Sequence, residues 1–261
     1  MTLTFKDIYD WIDACAPFDT QAGFDNSGLL IGSWAEPVRG IHTALDVTSR
    51  VLDEAEARGA NLLVTHHPVM FSPIQSLVED RDPESALIMR MIRSRIGLIA
   101  AHTNLDQARG GINDTLAARL GLTEVTGEGY LRVGTLPRAL TLDALCAHTA
   151  AALNTTVRVM GHFPPDRLFS RLAVASGAGS EFWSEARAMG AQALVSGEIR
   201  HHHALAMTAC GMAGLEAGHF ATEEPGIFAL ADALQHHLID VQCGLTVSKT
   251  ATGAYAPPAA D

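Results

Sequence analysis

Histidine and carboxylate side chains occur at three points of the 261-residue sequence in types and spacings that suit a divalent metal ion. The first group is His66-His67, which is followed by Pro68. The second is His102-Thr-Asn-Leu-Asp106 and the third is His219-Phe-Ala-Thr-Glu223. Mixed nitrogen and oxygen ligands suit zinc, iron, manganese or nickel, and such ions support hydrolytic chemistry.

Two of these groups have equally simple interpretations without a metal. Neighbouring side chains of a strand point to opposite faces, so the dipeptide His66-His67 taken alone favours an ordinary surface turn. His219 and Glu223 lie on one face if a helix begins there, where they could share a metal. A surface ion pair at helical spacing explains their separation equally well.

The segment from His102 to Asp106 also leaves its roles open. His102 could be a metal ligand, a residue that supports a ligand, or a proton carrier. A turn whose Asn104 and Asp106 cap the next helix is the alternative. The histidines at 201–203 are not assigned as ligands, because consecutive side chains cannot easily converge on one ion.

Strands buried on both faces are predicted to position these groups. Strand-length apolar runs alternate with helix-like segments, which predicts a mostly parallel sheet; the runs are 40–46, 60–65, 96–101, 171–175, 191–195 and 211–217. Ligands of such folds bind beyond the carboxyl ends of the strands. His66-His67, the His102 segment, Ser196-Gly-Glu198 and Gly218-His219 each directly follow one of these runs.

Composition narrows the class of protein. Hydrophobic residues make up 48% of the chain and charged residues 18%, which is typical of a globular enzyme. A formal net charge of -11, with scattered basic residues, argues against nucleic-acid binding. No membrane-length apolar run, signal-peptide pattern or C-x-x-C pair is visible, so a cytoplasmic protein is expected.

Glycine, threonine and proline breaks predict two α/β halves with a boundary near residue 125. The N-terminal half, 1–124, then carries His66, His67 and Asp106. The C-terminal half, 125–261, carries His219 and Glu223.

The chain resembles the YbgI family, whose members are also labelled GTP cyclohydrolase 1 type 2 homologues or Ngg-interacting-factor-like proteins. Six motifs carry the resemblance, in the same order and over most of the chain: Phe24-Asp-Asn-Ser-Gly-Leu-Leu-Ile-Gly32, His66-His-Pro-Val-Met-Phe71, Ala101-His-Thr-Asn-Leu-Asp106, Gly111-Ile-Asn-Asp114, Ser196-Gly-Glu-Ile199 and Gly218-His-Phe-Ala-Thr-Glu223.

This resemblance implies a fold of two interlinked αβα-type halves with mostly parallel sheets, assembled as a toroidal homohexamer. It also implies a centre of two divalent ions with the ligands His66, His67, Asp106, His219 and Glu223. In this arrangement Glu223 bridges the ions, His67 and Asp106 bind one of them, and His66 and His219 bind the other.

The implied function is metal-dependent hydrolysis of a small molecule, with a purine nucleotide suggested by the cyclohydrolase label and an amide or phosphoester left open. His102 is the candidate for proton transfer, and Glu198 for orienting a substrate or a ligand. The alternative is a metal-binding scaffold or metal-handling protein without turnover, because function depends on sites rather than folds.

Overall fold

The computed structural model describes residues 2–250, and these residues form two compact units. The first unit comprises 2–108 with 227–250, and the second comprises Arg109–Gly226. The expected boundary near 125 therefore lies inside the second unit. The difference arises because Leu116 and Leu120, upstream of 125, belong to that unit's apolar core.

The first unit is built on a five-stranded sheet, whose strands are β1 (Gly28–Ile31), β2 (Ile41–Ala44), β3 (Leu62–Thr65), β4 (Gly97–Ala100) and β11 (Val247–Lys249). They lie in the order β1-β4-β3-β2-β11. β1 is antiparallel to its neighbour β4, and the other pairs of these five strands are parallel. Every residue of β2, β3 and β4 is buried, as expected for the apolar runs that predicted them.

The helices of the first unit are α1 (Phe5–Cys15), α2 (Ser49–Ala57), α3 (Pro83–Ser94) and α4 (Thr103–Gln107), with a short 3₁₀ helix at Phe18–Thr20. Side chains cap the start of α2 and of α3. The Thr48 side chain accepts a hydrogen bond from Val51 N–H at the start of α2. Asp82 accepts one from Ser85 N–H at the start of α3, where Pro83 takes the first helical position.

The second unit contains a six-stranded sheet, whose strands are β5 (Thr123–Thr126), β6 (Arg132–Thr141), β7 (Arg158–Met160), β8 (Leu168–Ala175), β9 (Ala193–Ser196) and β10 (Ala213–Glu216). Their order is β5-β6-β8-β9-β10-β7. The α/β class is confirmed, with parallel pairing confined to the central strands β8, β9 and β10. The remaining pairs are antiparallel, and the edge strands β5 and β7 are partly exposed, which antiparallel pairing tolerates.

The helices of the second unit are α5 (Ile112–Arg119), α6 (Leu142–Leu153), α7 (Trp183–Ala188) and α8 (His201–Ala209), with a 3₁₀ helix at Gly179–Phe182. The last helix, α9 (His219–Asp240), begins in the second unit and ends in the first. In the described part of the chain, no helix combines the length and apolar character that crossing a bilayer requires.

A buried histidine ties the C-terminal strand to the first sheet. His42 on β2 is inaccessible to solvent, and its Nδ1 lies 2.8 Å from Ser248 Oγ on β11. Its Nε2 lies 3.5 Å from Glu54 Oε2. Burial, together with the charge of Arg58, lowers the pKa of His42 below its usual 6.5.

This histidine should make the folded state sensitive to mild acid. Because the pKa of His42 is lower in the folded than in the unfolded chain, the unfolded state takes up the proton first as the pH falls below about 6.5. We expect the free energy of unfolding to fall there by up to about 1.4 kcal/mol per pH unit for this group. His42→Gln should flatten this slope in urea unfolding between pH 5 and 8, and a slope equal to that of the wild type would contradict this role for His42.

Candidate metal centre

Three neighbouring parallel strands of the first unit end at chemically active side chains. Asp46 follows β2, the pair His66-His67 follows β3, and His102 follows β4. The carboxyl ends of parallel strands share one edge of a sheet, so these side chains emerge together. Four of the predicted residues lie here, and we call His66, His67, His102 and Asp106 the first-unit cluster.

The two adjacent histidines lie side by side instead of diverging. Their ring centroids are 5.0 Å apart. The backbone N–H groups of His66 and His67 donate to Ala44 and Leu45. His66 Nδ1 lies 2.8 Å from the carbonyl oxygen of Ala101. A carbonyl only accepts hydrogen bonds, so Nδ1 is the donor in this contact.

The other two histidine rings of this edge face carboxylates. His67 Nδ1 lies 2.7 Å from Asp46 Oδ1, and His102 Nδ1 lies 2.8 Å from Asp25 Oδ1. The ring centroid of His102 is 5.0 Å from that of His66 and 5.4 Å from that of His67. Each of the three imidazoles offers a ligand nitrogen within 4.8 Å of the others, which is close enough to hold one metal ion.

Asp25 organises the turn that carries His102. Its carboxylate accepts hydrogen bonds from Thr103 N–H at 3.0 Å and from the Thr103 hydroxyl, as well as from Ser27 Oγ and Asn26 N–H. Burial opposes ionisation, but the hydrogen bonds from His102 and Thr103 outweigh it and hold the pKa of Asp25 well below its usual range. The charge next to the His102 ring is therefore permanent near neutral pH.

Asp106 reaches this cluster through one turn of helix. Its backbone N–H donates to His102 O at 3.0 Å, so α4 brings the two residues onto adjacent turns. Asp106 is buried, and its Oδ1 lies 3.5 Å from His66 Nε2. The carboxylate thus adds an oxygen donor beside the imidazoles.

The second unit repeats this use of strand ends. Gly177 follows β8, Glu198 follows β9, and His219 follows β10 and begins α9. The three strands are neighbours and run parallel. We call His219, Glu223 and Glu198 the second-unit cluster.

His219 lies between two carboxylates in this cluster. Its Nδ1 is 2.8 Å from Glu198 Oε1, and its Nε2 is 3.1 Å from Glu223 Oε2. The spacing of four residues on α9 produces the second contact, as the sequence predicted for a helix beginning here. Glu223 is buried, whereas Glu198 is exposed. A buried carboxylate beside an imidazole is a donor pair that a divalent ion accepts.

Comparison with known proteins identifies the family. The sequence model of the family described as Duf34/NIF3 (NGG1p interacting factor 3) matches residues 3–253. The chain belongs to the DUF34/NIF3 family. A relative from Clostridium acetobutylicum, named GTP cyclohydrolase 1 type 2 homolog, is 31% identical over 98% of this chain and 99% of its own.

Solved structures of DUF34/NIF3 type share the fold. A Bacillus cereus protein related to NIF3 superposes with a TM-score of 0.91 at 20% identity, covering 97% of this chain and 98% of its own. A protein named ybgI, described as of unknown function, has a TM-score of 0.86 at 25% identity and covers 97% of this chain and 100% of its own. The resemblance stated from the six motifs is confirmed.

Two carboxylates of this DUF34/NIF3 chain were missed as site residues by sequence reasoning. Asp25 lies in the first family motif, and Asp46 ends the run at 40–46. A carboxylate at the end of a buried strand, like the histidines at the next two strand ends, is the signal that could have identified Asp46. Nothing local pairs Asp25 with His102, which lies 77 positions away.

The histidines at 201–203 and the turn at 176–180 lie in the second unit, and some of their polar groups contact other parts of it. His203 Nδ1 lies 3.0 Å from Ser180 Oγ, and burial lowers the pKa of His203, while His201 and His202 are exposed. In the turn at 176–180, Ser176 N–H donates to Asn113 Oδ1, and Gly177 N–H donates to Thr222 Oγ1. These two backbone N–H groups are therefore bonded within the protein.

Gly177 is required for the position of Glu223. Its φ is +54°, and a Cβ there would overlap the Glu223 carboxylate and crowd His219 Nε2. We expect Gly177→Ala to displace Glu223 and weaken metal binding by about 10- to 100-fold, the range for residues that orient ligands. Competition with a chelator would measure the change.

Gly121→Ala is the matched control for this substitution. Gly121 lies in the same unit and has a φ of +70°, with nothing within 4 Å of an added Cβ. Both variants should lose a similar amount of stability from the left-handed backbone. Equal metal affinity in the two variants would show that Glu223 does not depend on Gly177.

Proposed function

We propose that this chain binds a pair of divalent metal ions and uses them to hydrolyse a small molecule. The proposed ligands are those of the resemblance, which are His66, His67, Asp106, His219 and Glu223. One observation carries the proposal. In His66, His67, His102 and His219, Nδ1 faces an oxygen acceptor, which is the usual arrangement of a histidine that binds a metal through Nε2.

The donor set fits such ions chemically. Metal-binding histidines usually donate their second N–H to a carboxylate or a backbone carbonyl, which fixes the ring and raises its basicity. Three of these histidines face carboxylates and His66 faces a carbonyl. Imidazole with carboxylate suits zinc, iron, manganese or nickel better than calcium or magnesium, which prefer oxygen ligands.

When bound, divalent ions at this site would act as Lewis acids and lower the pKa of water. His102 is proposed to move the proton, because its ring stands beside His66 and His67 with Nδ1 held by Asp25. Glu198 is proposed to orient His219 through Nδ1. The names of curated relatives, GTP cyclohydrolase 1 type 2 homolog, point to a purine nucleotide as the first substrate to test.

A screen with purified protein tests this proposal. We expect GTP or another nucleotide of a panel to be hydrolysed after loading with zinc, iron, manganese or nickel, and expect chelation to abolish turnover. Asp106→Ala should lose the activity. Turnover that survives complete chelation would remove the mechanism. Bound metal without turnover of any substrate would favour the alternative of a scaffold or metal-handling protein.

His102→Gln separates the possible roles of this histidine. If His102 carries the proton, its replacement should lower kcat by about 10²- to 10⁴-fold and leave the metal content unchanged. Elemental analysis and single-turnover rates would be measured on the same preparation. A loss of bound metal would instead make His102 a ligand.

The homohexameric ring implied by the resemblance and the expected cytoplasmic location stay predictions. Sedimentation velocity would test whether the hexamer forms.

A further inference from the structure

Two exposed phenylalanines stand beside the imidazoles of the first unit. Phe24 is 68% exposed and Phe71 is 48% exposed. Their ring centroids are 6.1 Å apart, and the Phe71 centroid is 6.0 Å from that of His102, with the rings nearly perpendicular. Exposed apolar side chains that lie next to each other can mark a ligand-binding surface, whereas single ones need no explanation.

Hydrogen bonds fix the residues next to both phenylalanines. Asn26 Nδ2 donates to Met70 O at 2.5 Å, which joins the loop after Phe24 to the residue before Phe71. Asp25, next to Phe24, is bound to His102 and Thr103. The chain segments that carry both rings are therefore linked to each other and to His102, which places the two rings beside the imidazole.

We propose that Phe24 and Phe71 form a platform on which a planar conjugated ring of the substrate stacks, with a polar edge turned towards His102. This inference rests on the proposed function, since it assigns the substrate class of the same site. The centroids of stacked rings are about 4.5–7 Å apart. A ligand ring inserted between Phe24 and Phe71 would therefore need the two phenylalanine centroids to be roughly 9 Å apart. At 6.1 Å the ligand stacks on an outer face of the pair.

A second copy of the chain is the competing occupant of this surface. Ile74, Leu77 and Val78, in the same loop as Phe71, are also exposed. An interface would use these aliphatic side chains as readily as the phenylalanines, because burial of apolar area is not directional. Stacking depends instead on the aromatic face, so replacing a phenylalanine by leucine distinguishes a stacked ligand from a subunit interface.

The experiment compares GMP with ribose 5-phosphate, which lacks the ring, on the full-length metal-loaded protein. We expect GMP to bind more tightly than ribose 5-phosphate. Phe71→Leu should weaken the binding of GMP by roughly tenfold, which is within the range for the loss of one stacked base. The affinity for ribose 5-phosphate should stay unchanged. Phe71→Trp should retain GMP binding, and Leu77→Ala, the control in the same loop, should match the wild type. The GMP H8 resonance should shift upfield on the wild type and less on Phe71→Leu.

Several results would overturn the platform. These are GMP binding no better than ribose 5-phosphate, equal GMP affinity in wild type and Phe71→Leu, or a loss of subunit assembly in Phe71→Leu with GMP affinity retained. Elemental analysis of each preparation keeps the two proposals apart. A protein that binds no metal contradicts the proposed function. A metal-loaded protein that binds GMP no better than ribose 5-phosphate contradicts the platform alone.

Discussion

Asp106→Asn is expected to weaken the binding of divalent metal by about 100-fold or more. The substitution keeps the shape of the side chain but removes its negative charge, and an amide oxygen is a weaker donor than a carboxylate. Substituting a residue that only orients a ligand lowers metal affinity by about 10- to 100-fold. Substituting a ligand itself should therefore lower the affinity by at least the upper end of that range. Its position beside His66 Nε2 in a buried environment makes the loss of charge more costly.

Metal content after dialysis, together with competition by a chelator, measures this effect. Asp82→Asn is the matched control, because it makes the same chemical change in the same unit at the cap of α3, where asparagine also caps well. Circular dichroism should be unchanged in both variants. A wild-type metal content in Asp106→Asn would exclude Asp106 from the ligand set.

Asp25→Ala is expected to lower the free energy of unfolding by about 3 kcal/mol, even in metal-free protein. The Asp25 side chain is fully buried and accepts hydrogen bonds from His102, Thr103, Ser27 and Asn26. Removing a charged acceptor leaves several of these donors without their partner, and losses of this size are usual for such networks. Urea unfolding followed through Trp11 and Trp34, both in the first unit, would report the change.

The difference between wild type and Asp25→Ala should depend on pH with a definite sign. The folded pKa of Asp25 lies below the ordinary 3.8, so its stabilisation is complete above that value and declines as the pH falls through and below it. The two unfolding curves should therefore approach each other in acid. Asp25→Asn, which keeps one oxygen acceptor, should lose less stability than Asp25→Ala. Equal stability of wild type and Asp25→Ala at pH 7 would contradict this role for Asp25.

The strands and helices that carry the site were largely predictable from the sequence. The apolar runs at 60–65 and 96–101 became β3 and β4, and a helix begins at His219, which is the condition under which His219 and Glu223 share one face. These features depend on local patterns of burial and periodicity. The antiparallel edges of the second sheet were not predicted, since the strand runs alone do not specify their partners.

The donor types and their positions after buried strands follow from the sequence, because both are properties of short segments. The orientation of these donors follows from contacts between segments that are distant in the sequence. Alternation along a strand predicts that His66 and His67 diverge, yet their rings lie together because β3 ends at Thr65 and both follow its last residue. The acceptors that fix the imidazoles come from far along the chain, 21 positions away for Asp46 and 77 for Asp25. Such partners meet through strand pairing, which no local pattern records.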